Sequence, residues 1–132
     1  ALKLLIQYRP CPVSIRLNRE QILHFSRFFF ITGMNMKYEG GGVKFCPDAV
    51  FDDQKLDICL VGKVKKLKIL ALFPTAFFGK HTHFSGVEAY QCKSLEIHSK
   101  RPLPVHCDGE SMGETDRLLL CDSGKQINVI LR

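Results

Sequence analysis

The chain has 132 residues, of which 45% are hydrophobic and 24% charged, with ten Phe and no Trp. That length suits one domain, and the composition excludes a disordered chain. The formal net charge of +6 favours an anionic partner (a phosphate, a nucleotide, an acidic lipid surface or a nucleic acid), although it also serves plain solubility.

Residues 1–8 read as a helix end or a lead-in strand, and Pro10 and Pro12 stop any helix there. In residues 12–17, Val13, Ile15 and Leu17 alternate onto one side, the pattern of a half-buried strand. Asn18-Arg19-Glu20 is a turn. Residues 25–32 form a dense aromatic and branched run, expected to be a strand covered on both faces. Residues 33–38 look irregular, Gly40-Gly41-Gly42 is a flexible loop, and Val43 to Cys46 is expected to start another strand. Two turns follow, at 47–49 and 51–54, and residues 56–61 are a strand.

The one helical segment comes next. Val64, Leu67, Leu70 and Ala71 fall at helical spacing, with Lys63, Lys65, Lys66 and Lys68 crowded on the other side. This predicts an apolar stripe facing the core and a solvated basic face. The rival reading lays the basic helix on anionic lipid, with Phe73, Phe77 and Phe78 inserting. Pro74 is expected to end the helix or open a second short one, with Gly79 as its cap. Residues 87–99 read as one long strand, bulged near Lys93-Ser94. Residues 104–107 and 118–121 are short extended runs, residues 122–125 have hairpin-loop composition, and 127–131 close the chain as a strand. About eight strands joined by short turns predict a mainly β fold, an antiparallel β-sandwich with a short helical insertion.

No apolar run approaches the roughly 20 residues that span a bilayer; residues 69–78 come nearest and contain Pro74. Residues 1–9 lack the shape of a signal peptide, and the opening on Ala1 rather than Met suits a fragment. The six cysteines, at positions 11, 46, 59, 92, 107 and 121, form no CxxC pair and mostly lie in apolar runs. Buried reduced thiols, and so a cytoplasmic compartment, are the expectation.

Three patterns could carry chemistry. Gly40-Gly41-Gly42 permits a close backbone approach but lacks the Gly-Lys-Ser/Thr of a phosphate-cradling loop, so alone it is a flexible loop. Asp52-Asp53 lies in a turn between strands, where carboxylate and carbonyl oxygens can hold a hard cation, although Asp is also simply a good turn residue. Asp108-Gly109-Glu110 ends an extended run; its two acids suit general-base or metal-orienting work, or a solvated turn. His81 and His83 are neighbours without a third ligand at zinc spacing. Nothing supports a Cys-His nucleophile.

Taken in order, these pieces resemble one family. Gly40 to Cys46, Pro47-Asp48-Ala49, Asp52-Asp53, Leu56-Asp57, the aliphatic run 67–73, Gly79-Lys80-His81, Val87-Glu88-Ala89-Tyr90, Pro102-Leu103-Pro104-Val105 and Asp108-Gly109-Glu110 all appear in sequence. The series is similar to that of the second domain of bacterial diacylglycerol kinases and the related sphingosine and ceramide kinases. Tyr8-Arg9-Pro10 before Pro12-Val13 matches too, so the resemblance covers nearly the whole chain.

The resemblance implies a two-domain, ATP- and Mg2+-dependent lipid kinase, with this chain (1–132) as its C-terminal β-sandwich domain. The nucleotide-binding domain, with its Gly-Gly-Asp-Gly-Thr-like motif, is absent from this sequence, so the chain alone is expected to be inactive. The resemblance further implies Glu110 as proton acceptor with Asp108 beside it. It places magnesium on the Asp53 carboxylate and the carbonyls of Val50 and Lys55. The family's glycine after the second Asp is Gln54 here. The expected substrate is a lipid hydroxyl, diacylglycerol first, met at the inner face of the membrane, with no nucleic acid as partner. Homo-oligomerisation is compatible with the sequence but not specified by it. The alternatives are an NAD kinase-like second domain, or a non-enzymatic basic module that binds acidic membranes or nucleic acid.

Overall fold

The computed structural model describes residues 8–125. Six strands form one antiparallel sheet: β1 (Cys11–Leu17), β2 (Gln21–Met34), β3 (Leu56–Gly62), β4 (Val87–Cys92), β5 (Ser94–Cys107) and β6 (Glu110–Cys121). Their spatial order is β4-β3-β2-β1-β5-β6. Helix α1 (Lys66–Ala76) and a 3-10 turn at His81–His83 connect β3 to β4. The predicted class holds: the chain is mainly antiparallel sheet, curled into a sandwich-like body, with one short helix.

Alternation explains β1, where Cys11, Val13, Ile15 and Leu17 are all buried. The Phe run of β2 is covered on both faces as expected. Phe28 joins Val13, Ile15, Leu60 and Leu95 in one core, while Phe29 joins Cys59, Val61, Val64 and Leu72 in a second. A register shift between Phe28 and Phe30 marks a bulge there. β3 is central and feeds both cores, Ile58 and Leu60 inward, Cys59 and Val61 toward the helix. Each such fully buried side chain contributes roughly 1.5–3 kcal/mol. The sheet curls far enough for Leu120 of β6 to lie over β2. A Cβ on Gly33 would come within 2.5 Å of the end of the Leu120 side chain, so a larger residue there would make Leu120 move.

Several expected elements differ. Residues 87–99 are two strands, not one. β4 pairs with β3 at one end of the sheet, and β5 pairs with β1 further round. Lys93 is the corner: its N–H donates to Asn18 Oδ1 at 2.8 Å and its carbonyl accepts from Asp122 N at 3.1 Å. Residues 104–107 and 118–121 are the ends of the long strands β5 and β6. Val43 to Cys46 forms no strand among the described residues. Gly41 and Gly42 at positive φ fold the chain back, so Val43 bridges only to Glu39. The expected strand at 127–131 and the lead-in at 1–7 lie outside the described residues.

The helix also corrects its reading. Pro74 lies inside α1, which runs on to Ala76. Gly79, at φ +68°, then helps close it, with Lys80 N donating to Thr75 O at 3.0 Å. The stripe of Val64, Leu67, Leu70 and Ala71 does not face the core as one unit. Val64 is buried but precedes the helix, whereas Leu67 and Leu70 are exposed. Leu72 and Ala76, with Ile69 partly buried, make the contact instead. The segment is apolar on more than one side, so periodicity could not select the buried face.

Candidate functional site

β5 outlasts its neighbour. Its ladder with β1 stops at Val13↔Ser99, while its ladder with β6 continues to Cys107↔Glu110. Beyond Ser99 the two strands form an arm in which, among the described residues, the other edge of β5 has no strand partner. This is where Pro102 and Pro104 can sit, since a proline without an N–H belongs on an edge. Register shifts between His98 and Leu103 and between Pro104 and His106 accompany them.

The arm ends in a two-residue turn. Asp108 at φ +49° and Gly109 at φ +85° are both left-handed, the combination of a type I′ hairpin, for which Asp-Gly is a favoured pair. Glu110 is the first residue of β6. Asp108 and Glu110 are both exposed, and neither carboxylate has a hydrogen-bond or ion-pair partner among the described residues. The fold thus carries the two predicted acids together to the tip of the arm, away from both cores.

The root of the arm is braced by the Tyr8-Arg9-Pro10 lead-in together with Ser99 and Arg101, which lie outside the motifs. Arg101 donates to the Arg9 carbonyl, and its guanidinium lies 5.8 Å from the centroid of the Tyr8 ring. Ser99 Oγ donates to Arg101 O at 2.6 Å. Tyr8 Oη donates to Phe28 O at 3.1 Å, and burial raises its phenol above the ordinary value. The Tyr8-Arg9-Pro10 lead-in therefore fixes the arm to the sheet.

The predicted metal turn lies elsewhere. Asp53 Oδ1 accepts from Lys55 N at 3.0 Å, a tight side-chain turn. Gln54 adopts φ +57°, the left-handed conformation that a glycine would take without strain. The turn borders a hollow of about 220 Å³ with Asn35, Phe51, Asp52 and Lys55 on its wall. One carboxylate with two peptide carbonyls is an oxygen-only donor set, which suits Mg2+. Among the described residues no group of three or more His, Cys, Asp or Glu side chains is placed to hold a metal.

His81 is turned inward, 3% exposed, with Nε2 3.0 Å from Phe45 O. Because a carbonyl only accepts, Nε2 carries the proton, and buried Nδ1 is left without a partner. Burial lowers its pKa, with the Phe45 contact opposing. Burial pushes the Cys46 thiol up to about 12 and Cys59 to about 11, so neither is a ready nucleophile. All six cysteines are free; Cys107 and Cys121 are exposed, against the expectation of apolar burial, because the arm and the end of β6 lie outside the cores.

Fold and arm define an antiparallel β-domain that presents acids at a projecting hairpin tip. The chain belongs to the family described as "YegS C-terminal NAD kinase beta sandwich-like domain", whose profile matches residues 1–129. It is 33% identical over 96 residues to the Bacillus subtilis (strain 168) protein named "Putative lipid kinase YtlR", covering 73% of this chain and 31% of that protein. It is 35% identical over 76 residues to a Mycobacterium tuberculosis protein named "Diacylglycerol kinase", covering 58% of this chain and 24% of that protein. A crystal structure described as "a putative diacylglycerol kinase from Bacillus anthracis str. Sterne" superposes with a TM-score of 0.67 at 23% identity, over 92% of this chain and 40% of that one. At that identity the superposition speaks for the fold. The chain spans under a third of the length of these two curated relatives. Among the described residues no helix is long and apolar enough to cross a membrane.

Proposed function

We propose that this chain is the second domain of an ATP-dependent lipid kinase that phosphorylates a lipid hydroxyl, diacylglycerol in the first instance. The observation that carries this reading is the placement of Glu110. It stands unpartnered among the described residues, at the exposed tip of an arm that packs against the core as far as Leu103. A carboxylate so presented suits a cleft completed by another domain, and the relatives are named lipid and diacylglycerol kinases.

In this mechanism Glu110 accepts the proton of the lipid hydroxyl. The oxygen forms a bond to the γ-phosphorus as the bond to the bridging oxygen breaks, and ADP leaves. ATP supplies the phosphoryl group and is held by the nucleotide-binding domain that the family pairs with this one. Asp108, two residues before Glu110 on the same turn, would help to orient the nucleotide phosphates and the metal they carry. A structural Mg2+ would sit on the Asp53 carboxylate and the Val50 and Lys55 carbonyls. We place the enzyme in the cytoplasm against the inner face of the membrane, in keeping with six free cysteines. The aromatic run of β2 is not a stacking platform for nucleic acid, because Phe28 and Phe29 are buried.

The test is Glu110→Gln in the full gene product that carries this chain. The substitution keeps shape and removes basicity, so kcat should fall by roughly 10²–10⁴-fold. A folded variant with near wild-type kcat would rule out the proton-acceptor role, and diacylglycerol phosphorylation by the 132-residue chain alone would overturn the two-domain reading.

A further inference from the structure

Helix α1 turns an apolar ridge to solvent. Leu67, Leu70, Phe73, Phe77 and Phe78 are all exposed, Leu67 by 81% and Phe78 by 74%. Leu67, Leu70, Pro74 and Phe77 follow helical spacing along one side. The Phe73 and Phe77 rings meet edge-on at 5.8 Å, which makes the ridge continuous. The opposite side already packs through Leu72 and Ala76, so the domain's own core does not explain the ridge. Contiguous exposed apolar surface of this kind marks an interaction site.

Its electrostatic setting is one-sided. Residues 58–87 contain no Asp or Glu and five lysines, at 63, 65, 66, 68 and 80, so this segment carries +5 of the chain's +6. Lys66 and Lys68 leave the helix about 100° to either side of Leu67. Lys68 Nζ is held against Ser85 O at 3.1 Å and Ser85 Oγ at 2.9 Å, which fixes one cation next to Leu67, at the N-terminal end of the ridge. The first turn has no acid and no side-chain cap. Lysines there oppose the helix macrodipole, a penalty that a negatively charged surface would offset.

We propose that α1 is a membrane-docking helix that lays this ridge into the interface of a bilayer containing acidic phospholipid, with the lysines at headgroup level. The chemistry selects this occupant. A second copy in a two-fold contact would bring an equally cationic surface against this one. A protein interface is ordinarily depleted of lysine. An apolar face rimmed by lysines is the pattern of helices that lie in the interface of anionic membranes. The proposal rests on the lipid-kinase reading only for its purpose, which is to bring the arm to a substrate that resides in the bilayer.

Sedimentation of the chain with phosphatidylcholine vesicles, with and without phosphatidylglycerol, tests it. Binding should require phosphatidylglycerol and weaken as salt is raised. Leu67→Glu with Phe78→Glu should lower the vesicle partition coefficient by more than about tenfold, and Lys65→Glu with Lys68→Glu by at least about fivefold per lysine. All four side chains lie at the surface or partly so, and an unchanged melting curve confirms the fold. No binding by wild type, or equal binding by the variants, overturns the proposal. Concentration-dependent dimerisation abolished by Leu67→Glu assigns the ridge to a second copy and overturns it as well. Vesicle binding by the chain together with an inactive gene product sinks the kinase reading and leaves docking standing. A gene product active on a water-soluble short-chain substrate, whose Leu67→Glu form matches wild type on vesicles, sinks docking and leaves the kinase.

Discussion

Residues 94–99 and 100–107 belong to one strand, β5, but they live in different environments. In the first part Leu95 and Ile97 are buried in the core beside Val13, Ile15 and Leu60. In the second no residue is buried, and the ladder to β1 has ended. The same backbone therefore supplies stability at one end and reach at the other. The contrast shows how an exposed acid can be carried beyond the core by a strand whose other end is anchored, here by core packing and by the Tyr8–Arg101 brace.

The largest test of this contrast compares the two ends of the strand. Leu95→Ala removes a fully buried side chain and should cost about 2–5 kcal/mol, a large share of the roughly 5–15 kcal/mol of a typical domain. His106→Ala, on the arm, should stay within about 0.5 kcal/mol. Urea midpoints at constant m-value measure both, and a comparable cost for the two would show that the arm is part of the core after all.

A smaller effect should come from His81, the buried counterpart to the exposed acids. Its folded pKa is lowered below the ordinary 6.5, chiefly by burial. The unfolded chain therefore binds a proton that the folded chain resists. Its contribution is present above about pH 6.5 and is lost as pH falls from there toward the folded value. His81→Gln keeps an N–H donor for the Phe45 carbonyl and cannot titrate. The drop in melting temperature between pH 7.5 and 5.5 should be shallower in that variant; an identical drop would place the titration elsewhere.

The smallest effect concerns the exposed turn at Asp53. An ion bound only by the folded state adds about 0.4 kcal/mol when its concentration equals the dissociation constant. Wild type should melt slightly higher as magnesium is added, and Asp53→Ala should not. A wild-type melting temperature flat across the titration would leave the turn without an ion.

Much of this was legible in the sequence. The alternation of β1, the double-sided Phe run of β2 and the Asp-Gly turn before Glu110 are local signals, and each appears in the structure where the residues place it. The corner at Lys93 reads from the sequence only as a bulge: apolar and polar residues alternate on both sides of Lys93-Ser94, and only tertiary pairing divides residues 87–99 between β4 and β5. The reach of β5 and β6 was missed for a related reason. An exposed ribbon has no buried face to impose alternation, so Pro102 and Pro104 read as breaks rather than edge positions. At the Asp52-Asp53 turn, the expected place for a magnesium ion, Gln54 takes the left-handed conformation that a glycine adopts without strain.

The ladder that places the arm has a consequence for how the chain reaches its native state. β5 meets β6 across the two-residue turn at Asp108-Gly109, whereas it meets β1 through pairs such as Arg16 and Glu96, 80 positions apart. Closing a long loop costs entropy before its contacts repay it. The hairpin that carries Glu110 can thus form early as a local unit, while its orientation waits for the most distant pairing in the sheet. Refolding should fall in the millisecond-to-second range of non-local β topologies. Stopped-flow fluorescence that recovers the whole native tyrosine signal within microseconds would contradict it. The part of the molecule assigned to chemistry would be among the first to take shape and the last to be aimed.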